Sequence, residues 1–159
     1  MMEQTLLVIK PDGVQRSIVG EIITRFENMG LKIVAVRMVQ VTKEFSRKHY
    51  SAHVNKPFYK GLEEFITEGP VIAIVLEGLH AVETVRKLVG PTEPRKAPPG
   101  TIRGDYSHHS YEYTDAKGIA IKNLVHASGS LKEAKEEIIL WFSPKEIHKY
   151  RRADEGHVF

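Results

Sequence analysis

The chain has no cysteine. Disulfide scaffolds, zinc ribbons and thiol nucleophiles are thereby excluded. Long apolar runs are also missing: the longest, Val71 to Leu76, falls far short of the roughly 18 to 20 residues that a membrane-spanning helix needs. The opening Met1-Met2-Glu3-Gln4-Thr5 has neither the charged nor the apolar stretch of a secretory leader, and the cytoplasm is the expected place of work. Asparagine and glutamine are scarce, three of each, a composition that favours heat resistance. No Gly-x4-Gly-Lys-Ser/Thr loop, no Gly-x-Gly-x-x-Gly and no His-Glu-x-x-His occurs. A phosphate-bearing ligand would then have to be held by scattered side chains. Heptads, internal repeats and low-complexity tracts are absent as well.

What is present describes a single globular domain. At 159 residues the chain can enclose one hydrophobic core but not two ordinary ones, and 42% hydrophobic with 27% charged residues is the balance of a folded, water-exposed protein. A net charge of +3 and a pI near 9.0 fit a polyanionic partner. That charge serves a phosphate-bearing metabolite as well as it serves nucleic acid.

The element order is legible from periodicity and turn residues. Thr5 to Ile9 reads as a strand closed by the turn Lys10-Pro11-Asp12-Gly13. Ile18, Ile22, Phe26 and Met29 recur on one face of a helix that Gly30 ends. Leu31 to Val41 predicts a strand, and Thr42 caps a helix running to about Tyr50, with another over Phe58 to Thr67. Val71 to Leu76, apolar on both faces, reads as a central strand. His80 to Val89 is helical, with Val82, Val85 and Leu88 inward. The stretch from Gly90 to about Gly118 is the least regular and reads as a long loop. Ile119 to His126 is expected to be the last strand, with a bend at Lys122-Asn123. Ser130 to Phe142 forms the closing helix, burying Leu131, Ala134, Ile138, Trp141 and Phe142. This order predicts an α+β or α/β plan around about four strands.

Within that plan, Asn123-Leu124-Val125-His126-Ala127-Ser128 carries the most chemistry. It sets an imidazole at a strand-to-helix junction, beside small residues that leave room for a bulky anion. A helix-start pattern follows, Ser130 with Glu133 three positions on, where each side chain can cap the other's backbone. Such a histidine suits a phosphoryl acceptor, although a histidine alone does not make a catalytic site. Candidate phosphate ligands are Lys10, Arg86, Thr92 and Arg103. Lys10 and Arg103 stand out because each lies beside turn residues at the end of a regular segment, where binding groups gather.

Blocks spread along nearly the whole chain resemble the nucleoside diphosphate kinase family. They are Ile9-Lys10-Pro11-Asp12-Gly13-Val14-Gln15-Arg16, Val19-Gly20-Glu21-Ile22, His49-Tyr50, Pro57-Phe58, Gly61-Leu62, Gly69-Pro70-Val71, Leu88-Val89-Gly90-Pro91-Thr92, Pro99-Gly100-Thr101-Ile102-Arg103-Gly104-Asp105 and the histidine block itself. The resemblance implies an α+β ferredoxin-like sandwich, a four-stranded antiparallel sheet covered by helices with an extended loop insertion before the last strand. It implies ping-pong transfer of a terminal phosphoryl group from a nucleoside triphosphate to a diphosphate through a phosphohistidine at His126. By the same likeness, Lys10, Tyr50, Arg86, Thr92, Arg103 and Asn123 surround the phosphates and ribose. Phe58 lies against the base with Leu62 beside it, and Ser128 and Glu137 support the histidine. Mg²⁺ is expected to ride mainly on the nucleotide phosphates, and a homo-oligomer is implied. No metal ligand on the protein, no membrane and no nucleic acid is expected.

Two features depart from the family pattern. Gly129 stands where the family usually has an acidic residue, and the segment between Asp105 and Asn123 is longer by roughly ten residues. That insertion carries Tyr106, His108, His109, Tyr111 and Tyr113. Asp105, His108 and His109 can be read as metal ligands, but the preferred reading is an exposed insertion whose tyrosines pack against a neighbouring subunit. The tail from Arg151 to Phe159 is expected to cross to a neighbour or to be flexible. The competing function is a small basic module that binds nucleic acid or a nucleotide regulator without turnover, using the tyrosines to stack bases.

Overall fold

The computed structural model describes residues 1–159. Four strands, β1 (Met2–Ile9), β2 (Lys32–Gln40), β3 (Pro70–Leu79) and β4 (Val125–Ala127), form one sheet in the order β2-β3-β1-β4 with every neighbour antiparallel. This is the ferredoxin-like arrangement. The two inner strands are β1 and β3, which explains why Leu6-Leu7-Val8-Ile9 and Val71 to Leu76 are buried without interruption.

Alternate residues of these strands feed two cores. On one face Leu7, Ile9, Ile72 and Ile74 meet α2 (Val19–Asn28) through Ile22 and Phe26, and α5 (Ala81–Val89) through Val85 and Val89. On the other, Leu6, Val8, Val71 and Ala73 meet Tyr50, Tyr59, Ile66, Trp141 and Phe142. Those residues belong to, or directly follow, α3 (Lys43–His49), α4 (Tyr59–Thr67) and α8 (Leu131–Trp141). No helix is long and apolar enough to cross a membrane.

Several local expectations are corrected. The turn at Pro11 is the start of a short helix, α1 (Pro11–Gln15), with Pro11 at its first position, where its missing N–H costs nothing. Met29 and Leu131, placed inward by periodicity, are 49% and 44% exposed because each stands at a helix end, Met29 just after the last residue of α2 and Leu131 as the first of α8. The long loop holds two capped helices, α6 (Ile102–Tyr106) and α7 (Tyr111–Lys117). Thr101 accepts the Gly104 N–H and Ser110 accepts the Tyr113 N–H, and Gly118 at φ +63° ends the second helix. The expected strand over Ile119 to His126 shrinks to β4. Its first half is pulled out of the ladder at Leu124, which takes φ +71°.

The tail also behaves differently from expectation, folding back on its own chain. The Tyr150 hydroxyl donates to the Ile33 carbonyl (2.6 Å), the His148 N–H donates to the Val34 carbonyl (2.8 Å), and Arg152 donates to the carbonyls of Gly30 and Leu31 (3.2 Å each). A short final helix, α9 (Glu155–Val158), seats Val158 at Gly30, whose φ of +86° and absent side chain make the fit possible.

Candidate active site

The site grows out of the bend before β4. The amide of Lys10 donates to the Leu124 carbonyl (2.8 Å), and the Leu124 amide donates to Asp12 Oδ2 (3.0 Å). The Val125 amide turns back to the Asn123 carbonyl (2.8 Å). These bonds hold a leucine in a positive-φ conformation that it would otherwise avoid. Rotating the chain here frees Asn123 from the strand's alternation, so that Asn123 and His126 serve the same cleft. The bend anticipated at Lys122-Asn123 therefore exists, one residue later.

Around the bend the cations are buried. Lys10 Nζ donates to Asn123 Oδ1 (2.8 Å), while the Asn123 amide donates to the Thr92 carbonyl (2.9 Å). Burial, and then the charge of Arg103, lower the Lys10 pKa to about 8 against the opposing pull of Asp12. Arg103 donates to three backbone carbonyls: Nε to Asn123 (3.0 Å), Nη1 to Gly90 (3.0 Å) and Nη2 to Val125 (2.6 Å). Burial, and then the proximity of Arg86, bring its pKa down to about 10. Arg103 thus clamps the bend as well as charging it. Arg86 lies exposed in the last turn of α5, and Thr92 is exposed just beyond it.

His126 pairs with Val8 in the sheet, and its strand neighbours Val125 and Ala127 point into the core on the opposite face. Its Nε2 is 2.8 Å from Glu137 Oε1, and the Ser128 hydroxyl donates to Glu137 Oε2 (2.5 Å). Burial works to raise the Glu137 pKa. The His126 hydrogen bond and charge, with the Ser128 bond, outweigh it and hold the carboxyl below its ordinary value. An ionised Glu137 accepts a proton-bearing Nε2, which leaves the lone pair on Nδ1.

A second histidine stands against the first. His49 packs its ring edge-on to His126 with centroids 4.5 Å apart, and its Nδ1 accepts the Trp141 Nε1–H (3.1 Å). Burial, then the charge of His126, lower its pKa to about 3, so it stays neutral. Rings then step outward from His126 to Tyr50 (6.1 Å), from Tyr50 to His53 (6.4 Å) and from His53 to Phe58 (5.7 Å). Leu62 packs against the core cluster that contains Tyr50 and Tyr59.

Lys10, Tyr50, Thr92, Arg103, Asn123, His126, Ser128 and Glu137 are therefore linked by hydrogen bonds, ring contacts or charge. Arg86 is near enough to Arg103 to lower its pKa, Phe58 joins through the His53 ring, and Leu62 packs on the core. Asp12, His49 and Trp141, which sequence reasoning did not single out, adjoin this group: Asp12 holds the Leu124 amide, His49 packs on His126, and Trp141 donates to His49. Asp12 sat in a segment read as a turn, and His49 adjoined a named tyrosine. At α8, Ser130 accepts the Glu133 N–H (3.2 Å), but the Glu133 carboxylate takes the Gly129 N–H (2.9 Å) instead of its own cap's. That carboxylate fills the space beside Gly129: a Cβ there would meet Glu133 Oε2 at 2.8 Å. Asp105 is engaged by Arg25 (2.8 Å) and the Gly100 N–H (2.8 Å), away from His109.

An antiparallel α+β sandwich carrying a carboxylate-held histidine beside buried cations is suited to phosphoryl transfer. Residues 3–147 match the family model for nucleoside diphosphate kinase. A nucleoside diphosphate kinase of Pyrococcus furiosus is 49% identical, over 96% of this chain and 90% of its own. The solved transition state mimic of nucleoside-diphosphate kinase from Borrelia burgdorferi, with bound vanadate and ADP, superimposes with a TM-score of 0.94 at 43% identity, covering 98% of this chain and 96% of its own. The Halobacterium salinarum enzyme in complex with CDP gives 0.89 at 40% identity, covering 100% and 99%. The chain belongs to the nucleoside diphosphate kinase family.

Proposed function

We propose that this chain moves the terminal phosphoryl group of a nucleoside triphosphate onto a nucleoside diphosphate by a ping-pong route, with His126 Nδ1 as the nucleophile. The observation that carries the reading is the Ser128–Glu137–His126 chain of hydrogen bonds, 2.5 and 2.8 Å long, which fixes both the tautomer and the direction of the free lone pair.

Nδ1 attacks the γ-phosphorus, the bond from that phosphorus to the β-phosphate oxygen breaks, and the diphosphate leaves. A terminal oxygen of a second diphosphate then attacks the phosphohistidine and restores the neutral ring. Little covalent chemistry remains for the protein, so placement and charge dominate. Lys10, Arg86 and Arg103 meet the negative charge, while Tyr50, Thr92 and Asn123 orient the phosphates and ribose. The exposed ring of Phe58 offers a face to any base, with Leu62 beside it.

Three metal-capable side chains gather in the site, His49, His126 and Glu137, with donor atoms within 4.8 Å of one another. Two nitrogens and a carboxylate already engaged by Ser128 do not suit Mg²⁺, which takes oxygen ligands. The buried cations suit the anionic phosphates themselves, and a Mg²⁺ would be held by oxygens of those phosphates, neutralising part of their charge. The reading carries with it a phosphorylated histidine and work in the cytoplasm, where nucleotides are held. It also carries assembly with further copies of the chain, for which exposed Val36, Met38, Tyr111 and Tyr113 supply apolar surface.

Incubation with γ-labelled ATP tests the proposal. Acid-labile label on the protein that chases onto added diphosphate is expected. A protein that binds nucleotide yet stays unlabelled would be the binding module instead.

A further inference from the structure

The insertion between Asp105 and Asn123 has no part in the chemistry described above, yet its anchors converge on the catalytic bend. The Ser107 hydroxyl donates to the Lys122 carbonyl (3.0 Å), and the Lys122 amide donates to His109 Nδ1 (3.4 Å). Both backbone groups of the residue preceding Asn123 are thus held by the insertion. From the other side, the Arg95 amide donates to the His109 carbonyl (3.1 Å), and the Tyr111 amide donates to Glu93 Oε1 (3.2 Å). Glu93 follows Thr92, whose carbonyl receives the Asn123 side chain. Tyr113 covers His109 edge-on, ring centroids 5.6 Å apart. The chain leaving the insertion also runs along α4, the helix of Leu62: a Cβ on Gly61 would stand 3.6 Å from the Ala120 nitrogen.

Tyr106, the first of the three tyrosines expected at a subunit interface, packs instead against this chain's own core. Only Tyr111 and Tyr113 remain exposed. The hydrogen bonds of the insertion therefore point inward, to the bend, more clearly than they point to a neighbour.

We propose that the insertion braces the Lys122–Asn123–Leu124 bend, with His109 and Ser107 as positioning residues that fix where Asn123 and, two residues beyond the bend, His126 stand. This rests on the phosphotransfer reading above. Its physical basis is that near-attack geometry is unforgiving: a displacement of about 1 Å can cost roughly 100-fold in rate. Asn123 is tied to Lys10 at its tip and to Arg103 through its carbonyl, so a peptide unit that wanders at Lys122 moves the phosphate-binding pair with it.

The brace requires a neutral His109, since Nδ1 must accept. The groups that face it are His108, Lys122, Asp12 and Arg16, with the Tyr113 ring against it. Burial, followed by His108 and Lys122, lowers its pKa below the ordinary 6.5, with Asp12 opposing. Protonation would set an N–H against the Lys122 N–H and open the contact. The brace is therefore intact at neutral pH and lost as the pH falls through the lowered value.

The test compares His109→Ala, Ser107→Ala and His109→Asn with the parent, by rapid-quench labelling from γ-labelled ATP. It adds diphosphate KM, a pH–rate profile and the sedimentation of each protein. Asn is included because its side-chain carbonyl can still accept the Lys122 amide. His109→Ala and Ser107→Ala are expected to slow phosphoenzyme formation by on the order of 10-fold, with KM changed less than about threefold and assembly unaltered. His109→Asn should recover most of the rate and lose the part of the parent's acid-side fall that His109 contributes.

Full-speed labelling by both alanine variants would overturn the brace and leave phosphotransfer standing. Smaller assemblies with an unchanged labelling rate would overturn it in favour of an interface element. A parent that never labels would remove the phosphotransfer reading, and the brace with it. Should His109→Ala fail to fold, Ser107→Ala carries the same comparison.

Discussion

Where the proposed reading puts the phosphates, Lys10, Arg103 and Asn123 are 7%, 4% and 2% exposed, and each is hydrogen-bonded to another or to the backbone. Where the same reading puts the base, Phe58 is 55% exposed, with the His53 ring 5.7 Å away and the Lys56 ammonium 6.0 Å from its centroid. One end was assembled before any ligand arrived, and its charges were desolvated at the expense of stability. The other is an open face that any flat ring can meet. On the proposed function the difference follows the chemistry: the phosphoryl group is common to all the substrates and its transition state needs fixed charge, whereas the base varies and plays no part in bond breaking.

The comparison is most severely tested at the nucleophile. His126→Asn is expected to lose all phosphoenzyme and to slow transfer by at least about 10⁴-fold. Nucleotide affinity should be nearly unchanged, because the phosphate and base contacts lie on other residues. Substantial transfer by the variant, read by label chase, would move the nucleophile to another of the eight histidines, with His49 the first to examine.

Arg103→Ala should be next in effect, because it removes both a charge and a clamp. Three backbone carbonyls would lose their donors. At about 1 kcal/mol or more for each, the lost bonds cost on the order of 3 kcal/mol, part of which is offset by release of a desolvated charge. Tm should therefore fall by less than the roughly 6 to 12 °C that the bonds alone would give. Turnover should fall together with stability. If Tm held while only turnover fell, Arg103 would act on substrate alone and the clamp reading would be wrong.

Lys10→Met separates the two effects with opposite signs. The Lys10 pKa drops from 10.5 to about 8 on folding. Its contribution to stability is therefore complete above pH 10.5 and lost as the pH falls through 8, so at neutral pH the buried ammonium costs the fold about 3 kcal/mol. Removing the charge should raise Tm by a few degrees, some of the gain being spent on the stranded Asn123 carbonyl, while turnover falls by about 100-fold. Between pH 8 and 10 the parent should also take up a proton when a diphosphate binds, because the phosphates favour the charged amine. Binding heats that do not vary with the buffer's ionisation enthalpy would contradict this.

Much of this division was readable before the structure. Helix periodicity placed Ile22, Phe26, Val85 and Trp141 in the core, and the ordered blocks named nearly every residue of the cleft. The misses share a cause, which is that bonds between residues far apart in sequence overrode local pattern. Asp12 and the Lys10 amide pull Leu124 out of the ladder from more than a hundred residues away, so a strand that alternation extends from Ile119 survives over three residues only. The Glu133 carboxylate filling the space at Gly129 has no counterpart in spacing rules. The helix over Tyr111–Lys117 was different: Ser110 before it and Gly118 after it are ordinary start and stop residues, and the proline-rich stretch upstream drew the reading towards a loop.

Phe58→Ala should have the smallest effect and sharpens the comparison most. Phe58 is exposed and adds little to either core, so Tm should move by less than about 1 °C. Stacking acts alike on bound substrate and on the transition state, because the base is remote from the reacting phosphorus. Its loss, worth roughly 1 to 3 kcal/mol per base, should raise KM for diphosphates while kcat stays within about twofold. The increase should also be of similar size for purine and pyrimidine diphosphates, since a π-face is common to both. A fall in kcat at constant KM would mean that the base end is coupled to the chemistry, through the His53 and Tyr50 rings that connect Phe58 to His126. The contrast between a fixed end and an open end would then have to be abandoned.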